Sequence, residues 1–306
     1  MTHFLDLRYA PVGGGLAAQV NLNQGTSAAN YTGLRLIDLA SAIRGRHVLI
    51  ATHGFNVDRA SGIASLSNWE SLLRFSGQSS GQGSGQNSSQ NSSQAAFLGL
   101  LWPGDSIWAH GLDYPDEPRI ADYAGALLAP FLDANFQQAA SISFASHSLG
   151  ARVVLATIAK MNLPVRRLTL MAGAIDDDCL NNEFQSAAAK IGRISILASR
   201  KDTVLSRIFP LGNFVAGILT AGHPWWHAAI GNSGPVQPWP ANFEAPFEIP
   251  DDWNFDHSNY LESDPSPIPT LPLPTDVPPQ GTAIPASSAR GWQEAFTSAF
   301  QSTRFS

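Results

Sequence analysis

The chemistry legible in this chain starts at Ser146-His147-Ser148-Leu149-Gly150. The run Ser141 to Ser146 (SISFAS) precedes it and the helical pattern Leu149 to Met161 follows. A serine with small residues two positions away on either side, between a strand and a helix, fits a tight turn that lifts its hydroxyl above the sheet as a nucleophile. Bulky side chains at those two positions would collide with neighbouring strands. The first of them is Ser146 where glycine is usual, which keeps the small size. Leu149 offers the backbone N–H next to the hydroxyl, and the helix N-terminus favours developing negative charge. The bland alternative uses Ser148 only as a small turn residue.

A nucleophilic serine needs an oxyanion donor, a base and a carboxylate that orients the base. His53-Gly54-Phe55-Asn56 follows the apolar run His47 to Thr52 (HVLIAT), where the first long loop of such a sheet carries a donor. Gly54 admits close backbone approach, and the N–H of Phe55 or Asn56 is the candidate donor. His53 orients this loop or lines the substrate pocket. In this topology the acid follows the serine and the histidine comes last. Asp202, four residues beyond Ile194 to Ala198 (ISILA), fits the acid, and His257, the last of eight histidines, fits the base. Asp176-Asp177-Asp178, one strand earlier, is a rival acid. Three consecutive carboxylates point in different directions and read as a solvated loop or helix cap, so no metal site is expected there. His223 and His227, around Trp225-Trp226, are rival bases, and His147 lines the pocket or packs below it.

These residues need a scaffold. Five short apolar runs read as strands: the three above, Phe97 to Trp102 (FLGLLW) and Leu168 to Met171 (LTLM). Helical patterns separate them at Leu34 to Ile43, Ile63 to Phe75, Ile120 to Phe136, Leu149 to Met161 and Phe184 to Ala189. Alternation of this kind predicts a mostly parallel sheet with helices on both faces, its ligands at the carboxyl ends of the strands.

Length and composition bound the rest. The 306 residues, 44% apolar, suit a catalytic domain over residues 1–262 and a tail over 263–306. Ser76 to Gln94 is nineteen residues of Ser, Gly, Gln and Asn alone, which predicts a disordered surface loop. Ser263 to Ala286 holds eight of the 21 prolines and predicts an extended tail, with a short helix over Ser287 to Phe300. Between acid and base, residues 206–240 carry an apolar, glycine-interrupted segment. It reads as a cap or lid in which Trp225 and Trp226 contact substrate, or as a second small core. Eighteen basic against 24 acidic residues, net charge −6, argue against a nucleic-acid partner. One cysteine, Cys179, excludes an intrachain disulfide and a multi-cysteine metal site. No apolar run reaches the length of a membrane span, and residues 1–15 show no signal-peptide pattern, so a cytoplasmic protein is expected.

Taken together, the HGFN loop, Trp102-Pro103, Ser-His-Ser-Leu-Gly, Asp202 in Lys-Asp-Thr-Val-Leu, and Asp256-His257-Ser258 resemble an α/β-hydrolase group, domain of unknown function 900, over residues 45–262. The resemblance implies an α/β-hydrolase fold and a triad of Ser148, Asp202 and His257; it implies no substrate and does not extend to the low-complexity loop or the tail. The expectation is a serine esterase acting on a small-molecule ester, without cofactor. The same constellation would serve a thioesterase or amidase, and a non-catalytic binding protein on this fold is the other alternative. Dehalogenases and epoxide hydrolases need a carboxylate where Ser148 stands.

Overall fold

The computed structural model describes residues 1–11, 15–79, 95–105, 117–207, 209, 227–244, 247–249, 251 and 254–261. Nine strands form one sheet: β1 (Thr2–Arg8), β2 (Leu16–Gly25), β3 (Thr32–Gly33), β4 (His47–Thr52), β5 (Ala95–Leu101), β6 (Ser141–His147), β7 (Val165–Met171), β8 (Ile191–Ala198) and β9 (Phe247–Glu248). Their spatial order is β3-β2-β1-β5-β4-β6-β7-β8-β9. From β1 to β9 every pairing is parallel; β2 pairs antiparallel with β1 and β3. The helices are α1 (Leu36–Ile43), α2 (Arg59–Ser79), α3 (Glu117–Asn135), α4 (Gly150–Lys160), α5 (Gln185–Ala188) and α6 (Ile230–Ser233).

The central strands lie between helical layers, so apolar residues fill both of their faces. Val48 through Thr52 of β4 and Ile142 through His147 of β6 are all buried. The helix α4 packs on α3 and against β6 and β7. Since β4 to β8 run in parallel, the loops after them meet at one edge. Residues 53–57, 102–105, 148–150, 172–176 and 199–203 therefore come together there.

The β1–β2 hairpin is a feature the sequence pattern did not signal. β1 lies between β2 and β5, and its polar Thr2, Asp6 and Arg8 are buried along with Phe4, Leu5 and Leu7. Burial of an arginine requires partners. Arg8, with no exposed surface, donates to the carbonyls of Val57 (3.1 Å) and Trp102 (3.0 Å) and pairs with Asp105. Asp6 accepts from the Tyr31 hydroxyl (3.0 Å) and pairs with Arg59 (3.0 Å). This network ties the first strand to the loops after β4 and β5.

One expectation needs adjusting. The composition of Ser76 to Ser79 predicts the start of a disordered loop, but these residues continue α2. Extending an existing helix adds a hydrogen bond per residue fixed, so polar residues at its end can follow where they would not nucleate. The remainder of that loop, most of the cap over 206–240, and the tail over 263–306 lie outside the described residues. Among the described residues no helix is long and apolar enough to cross a membrane. Replacing Arg8 with Met removes the donors to the Val57 and Trp102 carbonyls and the ion pair with Asp105. We expect a loss of about 3–5 kcal/mol in denaturant unfolding, whereas Arg35→Met, at a fully exposed pair with Asp38, leaves the midpoint unchanged.

Candidate active site

At the end of β6 the backbone turns sharply and Ser148 takes φ +52°, the left-handed region that non-glycine residues rarely enter. Such a residue costs on the order of 1–3 kcal/mol and persists only where its surroundings fix it. The Ser148 N–H donates to the Met171 carbonyl (3.0 Å), and the Ser148 carbonyl accepts from Ala151 and Ala174 (3.1 Å each). Two glycines make room for the turn. A Cβ on Gly150 would fall 2.4 Å from the His53 carbonyl oxygen, and one on Gly54 would fall 2.6 Å from the Ser148 Cβ. Leu149, at the start of α4, is buried beside them.

The loop after β4 is fixed around His53. Its Nδ1–H donates to the Gly54 carbonyl (2.9 Å), and its Nε2 accepts from the Trp102 N–H (3.4 Å). The Trp102 indole in turn donates to the His53 carbonyl (3.0 Å). Burial pulls the His53 ring down to about 4, so it is neutral, in the single tautomer these partners demand. Both ring nitrogens thus serve the loop, and neither is left for a substrate. Asn56 also has positive φ, +57°, and its N–H donates to the Gly104 carbonyl (2.6 Å). Of the two candidate donors in this loop, the Asn56 amide is therefore committed to Gly104.

Asp202 and His257 come together although 55 residues separate them. The Asp202 carboxylate is fully buried; one oxygen accepts from His257 Nδ1 (2.7 Å), the other from the Leu205 N–H (2.9 Å). A carboxylate on Nδ1 places that nitrogen's proton and leaves Nε2 as the basic atom. Further contacts clamp the two loops together. The Asp256 carboxylate accepts from the Thr203 N–H (2.8 Å), the Thr203 hydroxyl (2.9 Å) and the His257 N–H (2.8 Å). The Ser199 hydroxyl donates to the Phe255 carbonyl (2.6 Å). Residue type did not single out Ser199, Thr203 or Asp256 for this role; it exists only where the loops converge.

His147 joins this pair to the serine turn. Its Nε2–H donates to the His257 carbonyl (3.0 Å), and the two rings lie 4.8 Å apart. Burial, then the neighbouring His257, push the His147 ring down to about 3, so it stays neutral. Its Nδ1 is buried without a hydrogen-bond partner. His147 thus packs against the loop that carries His257.

The rival residues form a second cluster. His227 faces Asp177 through Nδ1 (3.0 Å) and Asp178 through Nε2 (3.4 Å). By donor type these three could ligate a metal ion. However, each ring nitrogen meets a carboxylate, an arrangement in which the imidazole, when protonated, itself supplies the positive charge. The acidic triplet is thus tied to a histidine and is more than a solvated loop. His223, Trp225 and Trp226 lie outside the described residues.

The hydrogen bond to Asp177, with the nearby acidic charges, holds the His227 ring above its ordinary value of 6.5. A raised folded-state value gives stability that is complete below the unfolded value and is lost as pH rises through the folded one. The melting-temperature gap between wild type and His227→Gln should therefore be widest at about pH 6 and close towards about pH 9, as read by thermal unfolding across that range.

With this geometry established, comparison with known proteins is informative. A family profile described as "Alpha/beta hydrolase of unknown function (DUF900)" matches residues 34–210, more than half of the chain. No curated protein matches. Among solved structures, the chain is similar to a predicted CIB-like hydrolase from Thermoplasma acidophilum, with 14% identity, 79% of this chain and 84% of that one covered, and TM-score 0.38. It is also similar to acetyl xylan esterase 1 from Thermoanaerobacterium sp. JW/SL YS485 (14% identity, 62% and 71% covered, TM-score 0.34). A third is esterase B from Lactobacillus rhamnosis HN001 (11%, 70% and 69%, TM-score 0.33). These overlaps are slight, and the assignment rests on the family profile together with a mostly parallel sheet that agrees with it. The chain belongs to the α/β-hydrolase family of unknown function, DUF900.

Proposed function

We propose that the protein is a serine hydrolase of carboxylic esters. The observation that carries this reading is the left-handed Ser148 at the end of β6, braced through His147 to a histidine whose Nδ1 is held by a buried carboxylate. In the proposed reaction the Ser148 hydroxyl attacks the ester carbonyl while His257 Nε2 takes its proton. The same nitrogen then returns that proton to the departing alcohol oxygen. Asp202 holds the tautomer and stabilises the imidazolium. Backbone N–H groups of Leu149 and Phe55 receive the tetrahedral oxyanion, each such donor being worth about 10²–10³ in rate. Water, deprotonated by His257, then attacks the acyl-enzyme and releases the acid. Every group this sequence needs is a side chain or amide of the chain itself.

Hydrolysis of p-nitrophenyl esters from short to long acyl chains tests the proposal. Wild type should turn over, Asp202→Asn should lose about 10⁴ in kcat through the wrong tautomer, and Ser148→Ala and His257→Ala should fall to background. Gly54→Ala, whose Cβ would press on the Ser148 Cβ, should lose about 10²–10³ as the loop withdraws its donor. Turnover that survives in Ser148→Ala would contradict the proposal. A folded wild type inert towards every ester would favour the binding-protein alternative.

A further inference from the structure

At the opposite edge of the sheet the charge balance is unusual for a chain of net charge −6. Arg166 and Arg167 lie at the start of β7, and Arg193 lies beside Arg167 in β8, the two being paired in register. The β6–β7 pairing advances one residue on β6, Ile142 to Ser143, while β7 advances two, Val165 to Arg167. Arg166 is thus the extra residue of a bulge, a device that re-aims a side chain. Its Nη1 reaches His47 Nδ1 (3.0 Å), on β4 and beyond β6.

Among the described residues, Glu244 is the carboxylate ion-paired with this group. It meets Arg193 at 3.0 Å and Arg167 at 3.6 Å, and it also accepts from the Ser195 hydroxyl (2.8 Å). Among the described residues, three guanidinium groups against one carboxylate leave two positive charges uncompensated. His47 adds none: burial and the Arg166 charge hold its ring below the usual range, and its Nδ1 accepts from Arg166. Arg167 is the clearest sign that a partner belongs here. Its side chain is only 8% exposed, its pair with Glu244 is long, and its buried Nε has no hydrogen-bond partner. A guanidinium taken out of water with a donor unused is costly. Burial, with repulsion within the group, lowers the hold of Arg166 and Arg167 on their protons.

We infer that Arg166, Arg167 and Arg193 form an anion site for a phosphate group at the amino-terminal edge of β7 and β8. A dianionic phosphate matches the two uncompensated charges, where a single carboxylate would leave one. Its oxygens suit the forked donors of arginine. The site is distinct from the loops around Ser148, since β7 spans roughly 20 Å between the two edges. It does not depend on the proposed esterase reaction. The phosphate comes from a small soluble molecule or from a lipid headgroup, and the two sources separate experimentally.

Thermal unfolding and calorimetric titration of the full chain with inorganic phosphate, at ionic strength matched with chloride, give the first arm. Wild type and Ser148→Ala should gain melting temperature with phosphate, and the double variant Arg166→Gln/Arg193→Gln should bind at least tenfold more weakly. The charge-retaining Arg193→Lys, which keeps the fold if the double variant does not, should also bind more weakly because it loses the fork. Flotation with phosphatidic acid vesicles, against phosphatidylcholine alone, gives the second arm; arginine-dependent co-flotation would mark the headgroup as the source. The inference is overturned if phosphate acts no differently from chloride and no vesicle binding depends on these arginines. It is equally overturned if both substituted proteins bind phosphate as wild type does.

Discussion

The left-handed conformation of Ser148 is the constraint on which the site depends. β4 and β6 are parallel neighbours with Thr52 opposite Ser146, so the loops after them emerge side by side. The serine turn then has to fit against the His53-Gly54 backbone, within a distance that leaves no space for a Cβ at Gly54 or Gly150. A left-handed, non-glycine residue is unfavourable alone and is held here by three backbone hydrogen bonds and by the strands on either side. The tight turn and the close approach of the β4 loop are one packing solution, and losing either would release the other.

Burial sorts the three histidines near this turn. His53 and His147 are deep in the protein, their rings held neutral by desolvation, and each uses its N–H on a backbone carbonyl. They act as fixed spacers, one for the β4 loop and one for the loop that carries His257. Of the three, His257 is the one that meets a carboxylate, Asp202. In the proposed reaction, acid–base work falls to the histidine that the buried carboxylate reaches.

Much of this was legible from local pattern because parallel strands, covered on both faces, read as continuous apolar runs. HVLIAT coincides with β4, and the Ser-His-Ser-Leu-Gly turn falls between β6 and α4. β1 escaped because half of its buried residues are polar, and two of them, Asp6 and Arg8, are held by a network with Arg59, Asp105 and Tyr31 that no local pattern announces. The Asp256–Thr203 contact joins loops more than fifty residues apart, so it too emerges only in three dimensions. His227 is a rival base by sequence, and its carboxylates are Asp177 and Asp178, a pairing set by how the segment after residue 226 packs on the β7 loop.

The central claim is that Ser148 is a hydroxyl activated by the His257–Asp202 pair. Peptide mapping by mass spectrometry after reaction with a fluorophosphonate probe tests it most directly, comparing wild type with a folded His257→Ala protein. The account predicts one adduct, on Ser148, forming at least a hundredfold more slowly without the histidine. An adduct on another residue, or labelling of Ser148 that proceeds equally in both proteins, would contradict it.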